Sequence, residues 1–197
     1  MPRKKHLLKN KYCKNSNLTE LQFEMILHTY IWGHSATEAQ RIIELVSHKI
    51  SRPTIETYFL KIGERLFKEC SPLVMQMLID SQPGHHWSYK DYKELEDYYV
   101  GEYWKLINEN LDYRSYREGG VILPSPVIHE LLLSRKKLFR GFPIKTFKAH
   151  LGYALYLLLM IDPDTDLSEC DQSASRESQI YEAGIKRVMI RLEEEPL

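Results

Sequence analysis

Residues 35–69 read SATEAQRIIELVSHKISRPTIETYFLKIGERLFKE, and this stretch decides the fold. Its first part carries a built-in helix start. Ser35 and Glu38 stand three apart, so each side chain can satisfy the backbone N–H of the other. Ala39, Ile42, Ile43 and Val46 then fall on one side of the predicted helix. A short link, HKIS, leads to a second start at Ser51. Ser51 is a good N-cap, and Pro53 sits in the first turn, where its missing N–H costs nothing. Ile55, Phe59, Ile62 and Leu66 recur at helical spacing and predict the buried stripe. The opposite face presents Arg52, Thr54, Thr57, Tyr58 and Lys61. The helix is expected to end before Pro72, because the residue before a proline avoids the helical region.

Upstream, LTELQFEMILHTYIWG over residues 18–33 predicts another helix, capped by Asn17 or Thr19 and stopped at Gly33. Glu20 and Glu24 suit the positive end of its dipole. Leu18, Leu21, Phe23, Met25, Ile26, Tyr30, Ile31 and Trp32 give it a broad apolar face.

Three helices with a short turn before the last form a helix-turn-helix, whose last helix enters the major groove of DNA. Residues 18–79 are therefore expected to be a DNA-binding domain. Arg52, Thr54, Thr57 and Tyr58 have the side-chain types that read base edges. Lys49, Ser51, Lys61 and Arg65 would contact the phosphate backbone. A plain three-helix bundle with a solvated polar face has the same pattern.

Residues 1–17, MPRKKHLLKNKYCKNSN, hold six Lys or Arg and no acid. They predict a basic flexible arm, with Arg3, Lys4 and Lys5 on phosphates. The formal net charge of the whole chain is zero, but the charge is blocked. Residues 1–70 carry +5, 71–130 carry −5, 131–150 carry +6 and 151–197 carry −6. Screening over about 8 Å makes charge act locally, so a neutral total does not exclude a nucleic-acid partner.

The three cysteines, Cys13, Cys70 and Cys170, match no zinc or redox spacing and suit a reducing cytoplasm. The longest apolar run, LGYALYLLLMI at 151–161, falls short of the roughly 20 residues that span a bilayer. No membrane segment and no signal peptide are expected. The acidic DPDTDLSECD after it lacks the glycine and terminal glutamate of a calcium loop. His85 and His86 read as loop residues. No metal and no cofactor are expected.

The linker SQPGHHWSYKDY near 80–88 marks a boundary, and 88–197 reads as a helical C-terminal domain for dimerisation or partner binding. Tyr92, Leu95, Tyr99, Tyr103, Leu106 and Ile107 share a helical face there. Prolines at 124 and 126 precede a helix near Val127, and RKKLFRG follows as a second basic block. Phe147, Leu151, Ala154, Leu155 and Leu158 mark a buried helix. Ile180, Ile185, Val188, Met189 and Leu192 mark a last one over about 178–193. The fold class is mainly α, with at most a vestigial strand or two.

Three stretches in order resemble the bacterial insertion-sequence transposases built from a zinc ribbon, a helix-turn-helix and a DDE catalytic domain. GHSATEAQRIIELVSHKISRPTIETYFLKIGERL resembles the family's helix-turn-helix. ELEDYYVGE at Glu94–Glu102 resembles the strand of the first catalytic aspartate, and KKLFRGFPIKTFKAHL resembles the segment after the last catalytic acid.

The departures point away from chemistry. Glu96 stands at the first aspartate's place, Asp112 follows too soon for the intervening strands, and Glu130 is out of register. Two-metal phosphoryl transfer needs carboxylates holding ions about 3.5–4 Å apart. Cys13, in KYCKN, lacks the partners a zinc ribbon needs. The resemblance thus implies a shortened relative that kept DNA binding and lost catalysis. That relative would be a sequence-specific binder of double-stranded DNA, a transcriptional regulator or nucleoid factor in the bacterial cytoplasm, and a homodimer. The alternatives are a minimal magnesium-dependent nuclease using Glu96, Asp112 and Glu130, and a protein-interaction module on a helix-turn-helix scaffold.

Overall fold

The computed structural model describes residues 10–80, 88–109, 111, 143–160, 168 and 170–197. Arg3, Lys4, Lys5, His85, His86, Asp112, Glu130, the helix expected near Val127 and the block RKKLFRG lie outside these residues, as does most of DPDTDLSECD. Among the described residues the protein is helical and has no strand: α1 Glu20–Ile31, α2 Ala36–Glu44, α3 Arg52–Asp80, α4 Tyr89–Asn108, α5 Ile144–Met160 and α6 Arg176–Glu194. No helix is long and apolar enough to cross a membrane, among those residues.

The chain divides into two compact units, Met1–Ile62 with Pro163–Leu197, and Gly63–Asp162. The division between them falls inside α3, and α6 groups with the N-terminal helices and packs on α1.

In the first unit, local chemistry sets the helix limits. Thr19 caps α1 and Ser35 caps α2, each in a reciprocal box with Gln22 and Glu38. The Ser35 N–H and hydroxyl hold the Glu38 carboxyl below its usual range. Gly33, at φ 72°, closes α1. Its N–H donates to Tyr30 O at 3.0 Å and that of His34 to Thr29 O at 3.0 Å, the paired bonds that a left-handed glycine permits.

Phe23, Ile26, Leu27, Ile31, Ala39, Ile43, Ile55 and Ile62 are buried in its core. Each large apolar side chain among them contributes about 1.5–3 kcal/mol on leaving water. Tyr30 meets Phe59 edge-on at 5.1 Å. From α6, Ile185, Val188 and Leu192 are buried, and Tyr181 stacks on Trp32 at 4.6 Å.

Residues 10–17 are not a free arm. Asn10, Tyr12, Cys13 and Ser16 are buried. Tyr12 stacks on Phe23 at 5.6 Å. Lys14 N–H donates to Leu197 O and Leu197 N–H to Tyr12 O, both at 3.0 Å. Asn10 Nδ2 donates to Leu18 O at 3.1 Å, and Lys11 pairs with Glu193 at 2.8 Å. Composition marked this segment as basic, but its aromatic and its amide find partners distant in the chain.

The second unit contains the end of α3 with α4 and α5. Pro72 lies inside α3 rather than after it. Its exposed ring forfeits one backbone bond, while Cys70 and Ser71 just before it stay buried. α4 runs through Glu94–Val100, so the vestigial strand is absent there. Ser88 and Asp91 form a capping box that starts it, and Tyr99, Tyr103, Leu106 and Ile107 form its buried stripe. Along α5, Phe147, Ala149, Leu151, Tyr153, Ala154, Leu155 and Tyr156 are all buried, as a helix apolar on every side must be. Gly152 lets the α3 backbone come close: a Cβ there would strike the Gly63 carbonyl oxygen and lie 2.6 Å from Phe67 N.

Candidate functional site

The residues expected to face a partner converge on the start of α3. Ser51 Oγ accepts from Thr54 N–H at 3.3 Å and bonds its hydroxyl at 2.7 Å. Ser51, Arg52, Pro53, Thr57 and Lys61 are exposed, and Thr54 is half-buried. Arg52 Nε donates to Glu56 Oε1 at 2.7 Å. Thr57 Oγ1 donates back to Pro53 O at 2.8 Å, which leaves its methyl for apolar contact. Lys49, in the preceding loop, lies 3.3 Å from Glu44 with its side chain 76% exposed.

The loop before α3, residues 45–51, is longer than the expected HKIS because α2 stops at Glu44. It is tied down at two points: Gln40 Nε2 donates to Ile50 O at 2.8 Å, and Gln22 Nε2 to His48 O at 3.5 Å. Ile50 is buried, whereas Leu45 and Val46 are 86% and 66% exposed. Val46 therefore does not line the core as its spacing predicted.

Two expected contact residues are placed elsewhere. Tyr58 is buried, and its hydroxyl bonds Ser16 Oγ at 2.7 Å and accepts from Cys13 Sγ at 3.8 Å. Burial pushes its phenol above the ordinary range. It supports the site from below, with Lys61 Nζ 5.2 Å over its ring. Arg65 belongs to the other unit and is bound to Glu69, with only 14% of its side chain exposed. Its carboxylate partner and its burial remove it from an open surface.

A cleft of about 390 Å³ opens beside the α3 start, lined by Asn15, Asn17, Leu18, Gln22, Lys49, Ile50, Ser51, Thr54 and Tyr58. Sequence reasoning missed Asn15 and Gln22 here and gave Asn17 only as an alternative to Thr19 for the cap of α1. The turn at Asn15, φ 59°, was the available signal, since asparagine tolerates that conformation. The cleft offers amide, hydroxyl and ammonium donors at the positive end of a long helix, chemistry suited to an anionic oxygen.

Glu96 and its neighbour Asp97 have partners elsewhere. Glu96 accepts from Lys148 Nζ at 2.7 Å and from Ser71 Oγ at 3.3 Å. Asp97 accepts from the same ammonium at 3.0 Å. Among the described residues no group of three or more His, Cys, Asp or Glu is placed to hold a metal ion. Cys13, Cys70 and Cys170 are buried and form no disulfide.

Comparison with family models, with curated proteins and with solved structures finds no match for this chain. The functional reading therefore rests on the chemistry of this surface and on the sequence resemblance.

Proposed function

We propose that the protein is a sequence-specific double-stranded DNA-binding protein without catalysis, a regulator of transcription derived from an insertion-sequence transposase. It would act as a homodimer in the bacterial cytoplasm. The observation that carries the reading is the clustering of Ser51, Arg52, Thr54, Thr57 and Lys61 at the capped start of α3, with Lys49 in the loop before it. Arg52, Thr54 and Thr57 are the base readers. Lys49, Ser51 and Lys61 hold the backbone, with one phosphate oxygen at the Lys49–Ser51 cleft. A dimer reads two half-sites, which compensates for the small surface of one helix. The helical Glu96, bound to Lys148, argues against the nuclease alternative.

The test is selection from a random duplex pool, followed by anisotropy titration of a selected and a scrambled duplex at two salt concentrations. Arg52→Ala should cost about 1–3 kcal/mol on the selected duplex and relax one base position. Lys49→Ala and Lys61→Ala should weaken both duplexes equally and lower the salt slope by about one each. Absence of any enriched duplex overturns the reading. A second reading, a protein-docking module, is favoured by Leu45 and Val46, which stand exposed in the loop before α3.

A further inference from the structure

The pair Arg52–Glu56 has a geometry that folding alone does not call for. Arg52 Nε lies 2.7 Å from Glu56 Oε1, one helical turn away, and the two side chains are 60% and 45% exposed. An exposed pair at this spacing adds only about 0.3–0.5 kcal/mol to a helix. Its larger consequence is for the arginine itself. A guanidinium has five N–H donors in a rigid fork, and guanine O6 and N7 together take two. With Nε held by Glu56, the two terminal nitrogens remain for an end-on bidentate contact. The carboxylate also cancels the charge with which an unrestrained arginine grips any phosphate.

We infer that Glu56 is a specificity-determining positioning residue: it fixes Arg52 for one guanine and penalises every duplex that lacks that base. This rests on the DNA-binding reading above. The neighbouring cations set the contrast. Lys61 lies 5.2 Å over the Tyr58 ring. Lys49 is 3.3 Å from Glu44 and, as a flexible point charge, gains no fork geometry from its partner. Among the described ion pairs at the α3 start, Arg52–Glu56 is the one that couples a carboxylate to a planar reader.

The experiment is a double-mutant cycle in the full chain with Glu56→Gln, Arg52→Ala and both together. The probes are the selected duplex, the same duplex with its Arg52-contacted guanine replaced, and a scrambled duplex. Glu56→Gln should tighten scrambled DNA several-fold and steepen its salt slope by about one. It should lower discrimination for the guanine about tenfold, within the range a bidentate contact supplies. In the Arg52→Ala background the discrimination effect of Glu56→Gln should vanish. Equal tightening of all three duplexes, or the same loss of discrimination with Arg52 absent, overturns the inference and leaves the DNA reading standing. Failure of the wild type to distinguish selected from scrambled DNA overturns the reading itself.

Discussion

One charged cluster in each unit shows two ways of treating a cation. In the first, the cations near the α3 start lie at the surface: Arg52 and Glu56 have 60% and 45% of their side chains exposed, and Lys49 and Glu44 have 76% and 35%. In the second, Lys148 is held at 2.7 Å by Glu96 and at 3.0 Å by Asp97, with 33% of its side chain exposed. Ser71 and Tyr99 share a buried bond of 2.6 Å beside it. An exposed pair contributes little to folding and leaves its remaining donors open to a partner. A sheltered one cannot be opened without leaving a charge stranded. The first arrangement suits a surface that meets a partner and the second suits a core.

The largest effect expected from breaking this contrast is at Gly152. Gly152→Ala places a methyl against the α3 backbone, which cannot yield as a side chain would. It should cost about 3 kcal/mol, at the upper end for overpacking, seen as a lower urea midpoint. A cost below about 1 kcal/mol would mean that the close approach is not there.

Lys148→Met comes next. Loss of one partner from a fully buried pair costs about 3–5 kcal/mol, and partial exposure here lowers the expected cost to about 1–2 kcal/mol. The same cluster predicts alkaline sensitivity. Burial lowers the affinity of the Lys148 ammonium for its proton, but the hydrogen bonds it donates to Glu96 and Asp97 outweigh it and the net shift is upward. Burial raises the Tyr99 phenol as well. For both groups the folded value exceeds the unfolded one. Their stability is therefore full below pH of about 10 and is lost as pH rises above it. Urea unfolding at pH 8 and pH 11 measures this, and Lys148→Met should flatten the dependence.

Tyr58→Phe should be milder. It removes the partner of buried Ser16 and costs about 1–2 kcal/mol. It should leave affinity for the selected duplex unchanged, because the ring supports α3 from inside. A large loss of DNA affinity with normal stability would return Tyr58 to the contact surface. The smallest effect is at the surface itself: Arg52→Ala with Lys49→Ala should change the unfolding free energy by no more than about 0.5 kcal/mol. A larger destabilisation would make these pairs structural and erase the contrast.

Helix starts were the most legible feature because capping is local. Ser35 with Glu38 could be read at a spacing of three, and so could Gly33 as a stop. The same logic applied to Ser88 and Asp91 would have identified Glu94–Val100 as helix instead of leaving a strand open. The site was legible in part. Ser51, Arg52, Thr57 and Lys61 follow from being opposite the Ile55–Ile62–Leu66 stripe, and they are exposed. Tyr58 borders that stripe, and an amphipathic tyrosine can fall to either side; Ser16, Cys13 and the Phe23 ring, all distant in the chain, place it inside.

The sequence by itself determined a helical protein, the starts of α1, α2 and α3 and the polar face at the start of α3, because each depends on residues within one or two turns. The tertiary structure decided the rest. It folded residues 10–17 against Phe23 and Leu197, joined α6 to α1, continued α3 through Pro72 and sorted the charges into exposed and sheltered pairs. Those outcomes depend on partners far apart in the chain, whose contacts must outweigh the entropy of bringing them together. No local pattern records that balance.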